Sequence, residues 1–201
     1  MHRQILIPSE EVSQIVAEVA KKVDGHYDDR SLGIFMLGVL KGGITFTSDL
    51  GQELWRLGYE KTTLGFVQSS SYGKRTVSSG NPNLAFLSKR EDIEGKHILV
   101  IEDLIDNGFT LKAILKELAQ FFPASLAVAT LLAKPDNQKI IWPDDIPLFI
   151  GRNLKGKPWV DGRGIDSGEE NRFSPDIGVQ TEEPMTMEEA RAAFLVLTHV
   201  A

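Results

Sequence analysis

Apolar residues recur with two different periods along this chain. Val12, Ile15, Val16, Val19 and Val23 stand three or four apart, the spacing of one helix face, with Ser9 placed to cap it. Residues 33–40 form a short, mostly apolar run, which predicts a buried strand, and Lys41-Gly42-Gly43 breaks it. Helical spacing returns over 44–57 and stops at Gly58. Residues 62–67 predict a strand, and 68–83 a long polar loop rich in Ser and Gly. A returning strand is expected at 84–87, which makes that loop a hairpin excursion.

A turn at 92–96 leads to the apolar, β-branched run 97–101, which meets Glu102-Asp103 and a short loop. The helix after the loop carries Leu111, Ile114, Leu115, Leu118 and Phe121 on one side, and 126–133 is another buried strand. This order predicts an α/β domain, a parallel-sheet core flanked by helices. Residues 134–179 hold five of the nine prolines among short strands and turns, so 134–180 is expected to form a small irregular hood over the sheet edge. Thr186 with Glu189 resembles a capping box opening a C-terminal helical extension over 186–199, with Ala190, Phe194 and Leu197 as apolar positions. All 201 residues read as one domain without internal repeats.

Composition removes several kinds of chemistry. Without cysteine there are no disulfides, thiolate nucleophiles or thiolate metal sites. His2, His26, His97 and His199 lie far apart and form no zinc-hydrolase pair. A net charge of −6 opposes broad binding to nucleic acid or anionic membranes. No run approaches the ~18 apolar residues of a membrane span, and the N-terminal stretch has no long apolar segment. The expected location is the cytoplasm.

Candidate chemistry concentrates in residues 98–110, ILVIEDLIDNGFT. An apolar strand runs into two adjacent carboxylates, and Asp106, Asn107, Gly108 and Thr110 lead into a helix. Ligands of open parallel sheets bind beyond the carboxyl ends of the strands. A helix N-terminus offers unpaired N–H groups and positive partial charge to a phosphate. Gly108 permits close backbone approach, and the Thr110 hydroxyl can donate to a phosphate oxygen. Glu102 and Asp103 would repel a phosphate by themselves; they make sense as partners of ribose hydroxyls or of water on Mg²⁺. A strand ending in solvated acids is the plainer alternative, which the coincidence of all these features outweighs.

This segment resembles the ribose-phosphate motif of the phosphoribosyltransferases, and its form is similar to the hypoxanthine-guanine branch, where the loop usually reads Asp-Thr-Gly. Three further pieces match in family order across about residues 5–180. Leu40-Lys41-Gly42-Gly43 is similar to the family's pyrophosphate loop, whose Leu–Lys peptide is often cis. Residues 69–73 resemble the mobile catalytic loop, with Ser71-Tyr72 at the tip. Residues 159–166, WVDGRGID, with Arg172 beyond them, resemble the aromatic-Val-x-Gly-x-x-Leu-Asp segment and its trailing Arg. The chain departs from the family at Asn107, and at Arg163 and Ser167, where aromatics are usual. The connection from 151 to 159 is one residue longer than the family's. The hood departures are expected beside the base pocket.

The resemblance implies a type I phosphoribosyltransferase that moves ribose 5-phosphate from phosphoribosyl pyrophosphate to a 6-oxopurine (hypoxanthine, guanine or xanthine). It implies Mg²⁺ as cofactor and a homodimer or homotetramer, with no nucleic-acid or membrane partner. By the same resemblance Asp106 is the general base or hydrogen-bond acceptor at the purine imidazole nitrogen, and Glu102 and Asp103 lie near the ribose hydroxyls and Mg²⁺. Asp106, Asn107, Gly108, Phe109 and Thr110 cradle the 5′-phosphate. Lys41, Gly42, Gly43, Ser71, Tyr72 and Arg172 meet pyrophosphate, and Asp166 serves a second Mg²⁺. Lys134 donates to the purine 6-oxo group, Trp159 stacks on the base and Val160 contacts it through its backbone. One rival is a regulator of the same fold that binds nucleic acid through a patch such as Lys74-Arg75 or Lys89-Arg90. The other is a flavodoxin-like or generic nucleotide-binding domain, disfavoured because neither G-x-G-x-x-G nor G-x-x-x-x-G-K-[ST] occurs.

Overall fold

Side chains alternate across a central sheet so that both of its faces are buried. A computed structural model describes residues 1–27, 29–31, 33–70 and 83–196. Its strands are β1 (His2–Ile7), β2 (Ile34–Leu40), β3 (Thr63–Ser70), β4 (Asn83–Phe86), β5 (His97–Ile105), β6 (Ser125–Ala133), β7 (Leu148–Asn153), β8 (Trp159–Asp161) and β9 (Ile177–Thr181). Ile34 and Met36 of β2 and Leu99 and Ile101 of β5 join one core, with the buried faces of helices α1 (Ser9–His26) and α2 (Ile44–Arg56). Phe35, Leu37, Ile98 and Val100 join a second core under α3 (Phe109–Ala119). Strands covered on both faces read as near-continuous apolar runs, which is the pattern of residues 33–40 and 97–101.

The large sheet runs β4-β3-β2-β5-β6-β7, with β3–β4 antiparallel and the other pairs parallel. The strand expected to return at the edge does pair antiparallel with β3, which continues through Gln68 to Ser70; residues 71–82 of the expected loop lie outside the described residues. The strand carrying the acid pair also runs further than expected. Glu102, Leu104 and Ile105 pair with Thr130, Leu132 and Ala133, so the acids lie inside β5 and the loop starts at Asp106. Neighbouring β6 supplies ladder partners that outweigh the low strand propensity of two acids.

The expected hood needs correction in two places. Residues 148–153 belong to the large sheet as β7, and the hood's own sheet, β1-β9-β8, takes an edge strand from the N-terminus. Leu6, Ile7, Val160, Ile177 and Val179 turn inward to the α1 core. Arg3 on β1 crosses the middle strand over Gly178, where a Cβ would stand 2.5 Å from its guanidinium carbon. It reaches Asp161 on β8 at 2.7 Å. Asp161 is fully buried and also accepts hydrogen bonds from Asn171 (3.1 Å) and Gln180 (2.7 Å).

Ser9 is not the cap of α1. Pro8 holds that position, and the Ser9 N–H donates to the Asp176 carboxylate at 2.8 Å. An acid from the hood thus does the work at the positive helix end that a local side chain was expected to do. The capping box at Thr186 and Glu189 is present and opens α4 (Met187–Phe194). The helix stops sooner than the expected 186–199, because Leu195 turns extended to bridge Leu154, and residues 197–199 lie outside the described residues. Ala190 and Leu195 are buried, so this segment packs on its own domain. Among the described residues no helix is long and apolar enough to cross a membrane.

Candidate active site

Three chain segments converge at the carboxyl ends of β2 and β5, at distances that only glycine allows. The Leu40–Lys41 peptide is cis, as the resemblance leads one to expect. A Cβ on Gly42 would stand 1.9 Å from an Asp103 carboxylate oxygen, and one on Gly164 the same distance from the Gly42 carbonyl oxygen. Gly43 would meet the Val39 and Ile101 carbonyls at 2.7 and 2.9 Å. The loop 41–43, the acid pair and the hood are therefore in direct contact.

The acid pair is electrostatically exposed to itself. Glu102 is buried, and burial with the Asp103 charge pushes its carboxyl well above the usual range. Burial raises Asp103 too, opposed by its hydrogen bonds with Glu102 and the Leu104 N–H and by the Arg172 charge. Such a pair suits a hard dication with oxygen ligands. Among the described residues no three His, Cys, Asp or Glu side chains form a ready cage. That does not count against Mg²⁺, which is commonly held by one or two carboxylates together with substrate phosphates and water.

The loop of residues 106–108 follows β5. Gly108 adopts a left-handed φ of +86°, and Ile140 covers it so closely that a Cβ would meet its side chain at 2.7 Å. The Asn107 carboxamide oxygen accepts the Phe109 N–H at 3.0 Å. Asn107 thereby organises the first turn of α3. Further N–H groups of that turn have no intrahelical partner.

Beside this loop, Lys134 at the end of β6 lies 3.7 Å from Asp106, and the Asn137 amide donates to the same Asp106 oxygen. Lys134 is nearly buried; burial lowers its pKa and the Asp106 charge opposes that. In the hood, Arg172 donates to the Gly164 carbonyl at 2.6 Å and pairs with Asp166 at 2.9 Å and Glu169 at 3.3 Å. Glu169 also pairs with Lys41 at 3.1 Å. A separate apolar groove of about 850 Å³ runs along the flank of α3 and holds none of the residues chosen from the sequence.

The arrangement joins a helix N-terminus, a glycine loop, cations and a buried acid pair, the equipment for a phosphorylated sugar. Residues 5–149 match the family described as phosphoribosyl transferase domain. The chain belongs to that family. The hypoxanthine-guanine phosphoribosyltransferase of Dictyostelium discoideum is 34% identical over 184 residues, covering 91% of this chain and 98% of that protein. The hypoxanthine phosphoribosyltransferase of Escherichia coli (strain K12) is 32% identical over 175 residues, covering 87% and 93%. A solved structure of the Trypanosoma cruzi hypoxanthine phosphoribosyltransferase, in complex with the product IMP, matches with a TM-score of 0.77 at 30% identity, over 89% of this chain and 94% of that one. The mixed sheet with its hood is thus the type I phosphoribosyltransferase fold, not a flavodoxin-like one. These relatives carry enzyme names, which leaves the regulator reading without support.

One expectation about this phosphoribosyltransferase changes with the structure. Arg163 was expected beside the base pocket. Its φ of +52° instead turns its side chain to α2, where it pairs with Asp49 at 2.6 Å. Glu169 is the counter-charge of Lys41 and Arg172. Ser71 and Tyr72 lie outside the described residues. Trp159 is 61% exposed at the hood edge, while Val160 is buried. Asn137 was missed; a lone Asn after Lys134-Pro135 carries no signal until folding brings it across 31 positions to Asp106.

The buried Glu102 beside Asp103 makes a prediction for the metal-free phosphoribosyltransferase. Glu102→Gln is expected to stabilise it by about 1–2 kcal/mol at neutral pH, raising Tm by about 2–8 °C. A raised folded-state pKa means the native protein binds that proton more tightly than the unfolded chain. Wild-type stability is therefore lost as pH rises through the folded value, and the mutant's advantage shrinks in acid. Thermal melts at two pH values check this, and an unchanged or lower Tm at neutral pH refutes it.

Proposed function

We propose that this phosphoribosyltransferase works in purine salvage: it transfers ribose 5-phosphate from phosphoribosyl pyrophosphate to hypoxanthine, guanine or xanthine. The observation that carries this is Asp106 held against Lys134 beside the α3 phosphate loop, at the carboxyl ends of adjacent strands. The C1′–O bond to pyrophosphate breaks, a C1′–N bond to the purine forms, and the ring N–H proton passes to Asp106. Asp106, Asn107, Gly108, Phe109 and Thr110 hold the 5′-phosphate. Lys41, Gly42, Gly43 and Arg172 receive the pyrophosphate, with Ser71 and Tyr72 as further contacts by family resemblance and Glu169 giving up its two cations. The sugar is cationic in the transition state, so positioning and electrostatics supply most of the acceleration.

Mg²⁺ suits the oxygen donors of Glu102 and Asp103 at one position and Asp166 at another. When bound it supplies positive charge to the leaving pyrophosphate. Trp159 stacks on the base and the Val160 backbone meets its edge. The same reading includes a homodimer or homotetramer acting in the cytoplasm; exposed apolar side chains such as Trp55, Leu64 and Leu87 are of the kind a second copy covers.

Lys134 sets the choice of base. Its ammonium donates to a 6-oxo group, whereas adenine presents an amino donor there. Leaving buried donors unpaired costs about 1–3 kcal/mol, so adenine is expected to fall about 10- to 100-fold or more in kcat/KM. A spectrophotometric assay with phosphoribosyl pyrophosphate, Mg²⁺ and each base in turn tests both points. Adenine turnover equal to that of hypoxanthine refutes the role of Lys134, and no turnover of any base refutes the enzyme reading.

A further inference from the structure

Trp159 presents a problem of orientation. It stands at the free edge of the hood sheet with 61% of its surface exposed, although Val160 and Asp161 after it are buried. A ring so exposed has little packing to hold its rotamer. Its indole N–H is a single donor, and it finds the Ser167 hydroxyl at 2.9 Å. Ser167 is itself fixed, because its N–H and C=O exchange hydrogen bonds with those of Glu170 at 3.2 and 3.1 Å. The residue before it, Asp166, is paired with Arg172. The partner of the indole is thus anchored to the pyrophosphate side of the hood.

We infer that Ser167 is a positioning residue for base binding: it holds the Trp159 ring at a set angle through the indole N–H, so that the face a purine stacks on is ready before the base arrives. This rests on the reading above that Trp159 contacts the base. It also joins two features of this chain. An indole, unlike a phenyl ring, carries a donor at its edge, and Ser167 puts an acceptor within its reach where family members usually carry an aromatic. A bound purine would cover the indole and shield this hydrogen bond from competing water, so the bond gains value in the complex.

A double-mutant cycle tests the coupling. Ser167→Ala is expected to raise the KM for hypoxanthine about 3- to 10-fold, the range of one neutral hydrogen bond, with kcat and the KM for phosphoribosyl pyrophosphate little changed. Ser167→Thr, which keeps a hydroxyl, is expected to restore the wild-type KM. In a Trp159→Phe background, Ser167→Ala should have no effect, because no indole N–H remains. Equal effects in both backgrounds, or no effect in either, overturn the proposal while leaving the base-contact reading intact. Trp159→Ala separates the two: if it leaves the KM for every base unchanged, the base-contact reading itself fails. Thermal melts of each variant distinguish loss of fold from loss of orientation.

Discussion

Asp106→Asn is expected to lower kcat for hypoxanthine by about 10²- to 10⁴-fold, a barrier increase of roughly 3–5 kcal/mol. Asparagine has the shape of aspartate and can still accept the Asn137 amide proton, so the loop geometry should survive. What is lost is a carboxylate able to take the purine proton and to balance the charge of Lys134, which lies 3.7 Å away. The change should therefore fall on kcat, with only a small change in the KM for phosphoribosyl pyrophosphate. Steady-state kinetics of the pair, with Tm as a control on folding, decides the matter. Near-normal turnover would reduce Asp106 to an ordinary polar residue of the loop after β5.

The second large effect is on stability. Asp161→Ala is expected to destabilise the protein by about 3–5 kcal/mol and lower Tm by roughly 6–20 °C. Asp161 has no exposed surface, and its removal takes the carboxylate from Arg3, Asn171 and Gln180 at once, leaving Arg3 only the Ser174 hydroxyl and the Asp176 carbonyl. A buried charge left without its partner costs far more than the pair contributes when intact. Gly178→Ala should act in the same direction by a different route, since its Cβ would press on the Arg3 guanidinium. Because Trp159 and Val160 share β8 with Asp161, base affinity should weaken even below the melting temperature. A Tm within 2 °C of wild type for both variants would mean that the hood sheet does not depend on this cluster.

The sequence by itself determined the elements whose cause is local. The valines of α1 and the apolar face of α3 repeat at helical spacing, and the Thr186–Glu189 box marks where α4 begins. The loop residues 106–110 and the glycines after Leu40 carry their signal in neighbouring positions, so the loops that meet at the carboxyl ends of β2 and β5 were legible in residue order. Local signals of this kind act over one turn or one strand.

Tertiary structure decided the rest, where the cause lies far away along the chain. Whether β5 stops at the acids or runs through them depends on the ladder that β6 offers. The cap of α1 comes from Asp176, the counter-ion of Arg3 from 158 positions on, and the partner of Arg163 from α2. Whether Arg163 faces the base or α2 turns on its left-handed φ and on the space beside Asp49, neither of which leaves a periodic trace. Glu169 likewise gains its purpose only when the hood brings it to Lys41. Periodicity and capping record what each residue does with its near neighbours; an ion pair or a close glycine contact between distant segments exists only once the chain has closed.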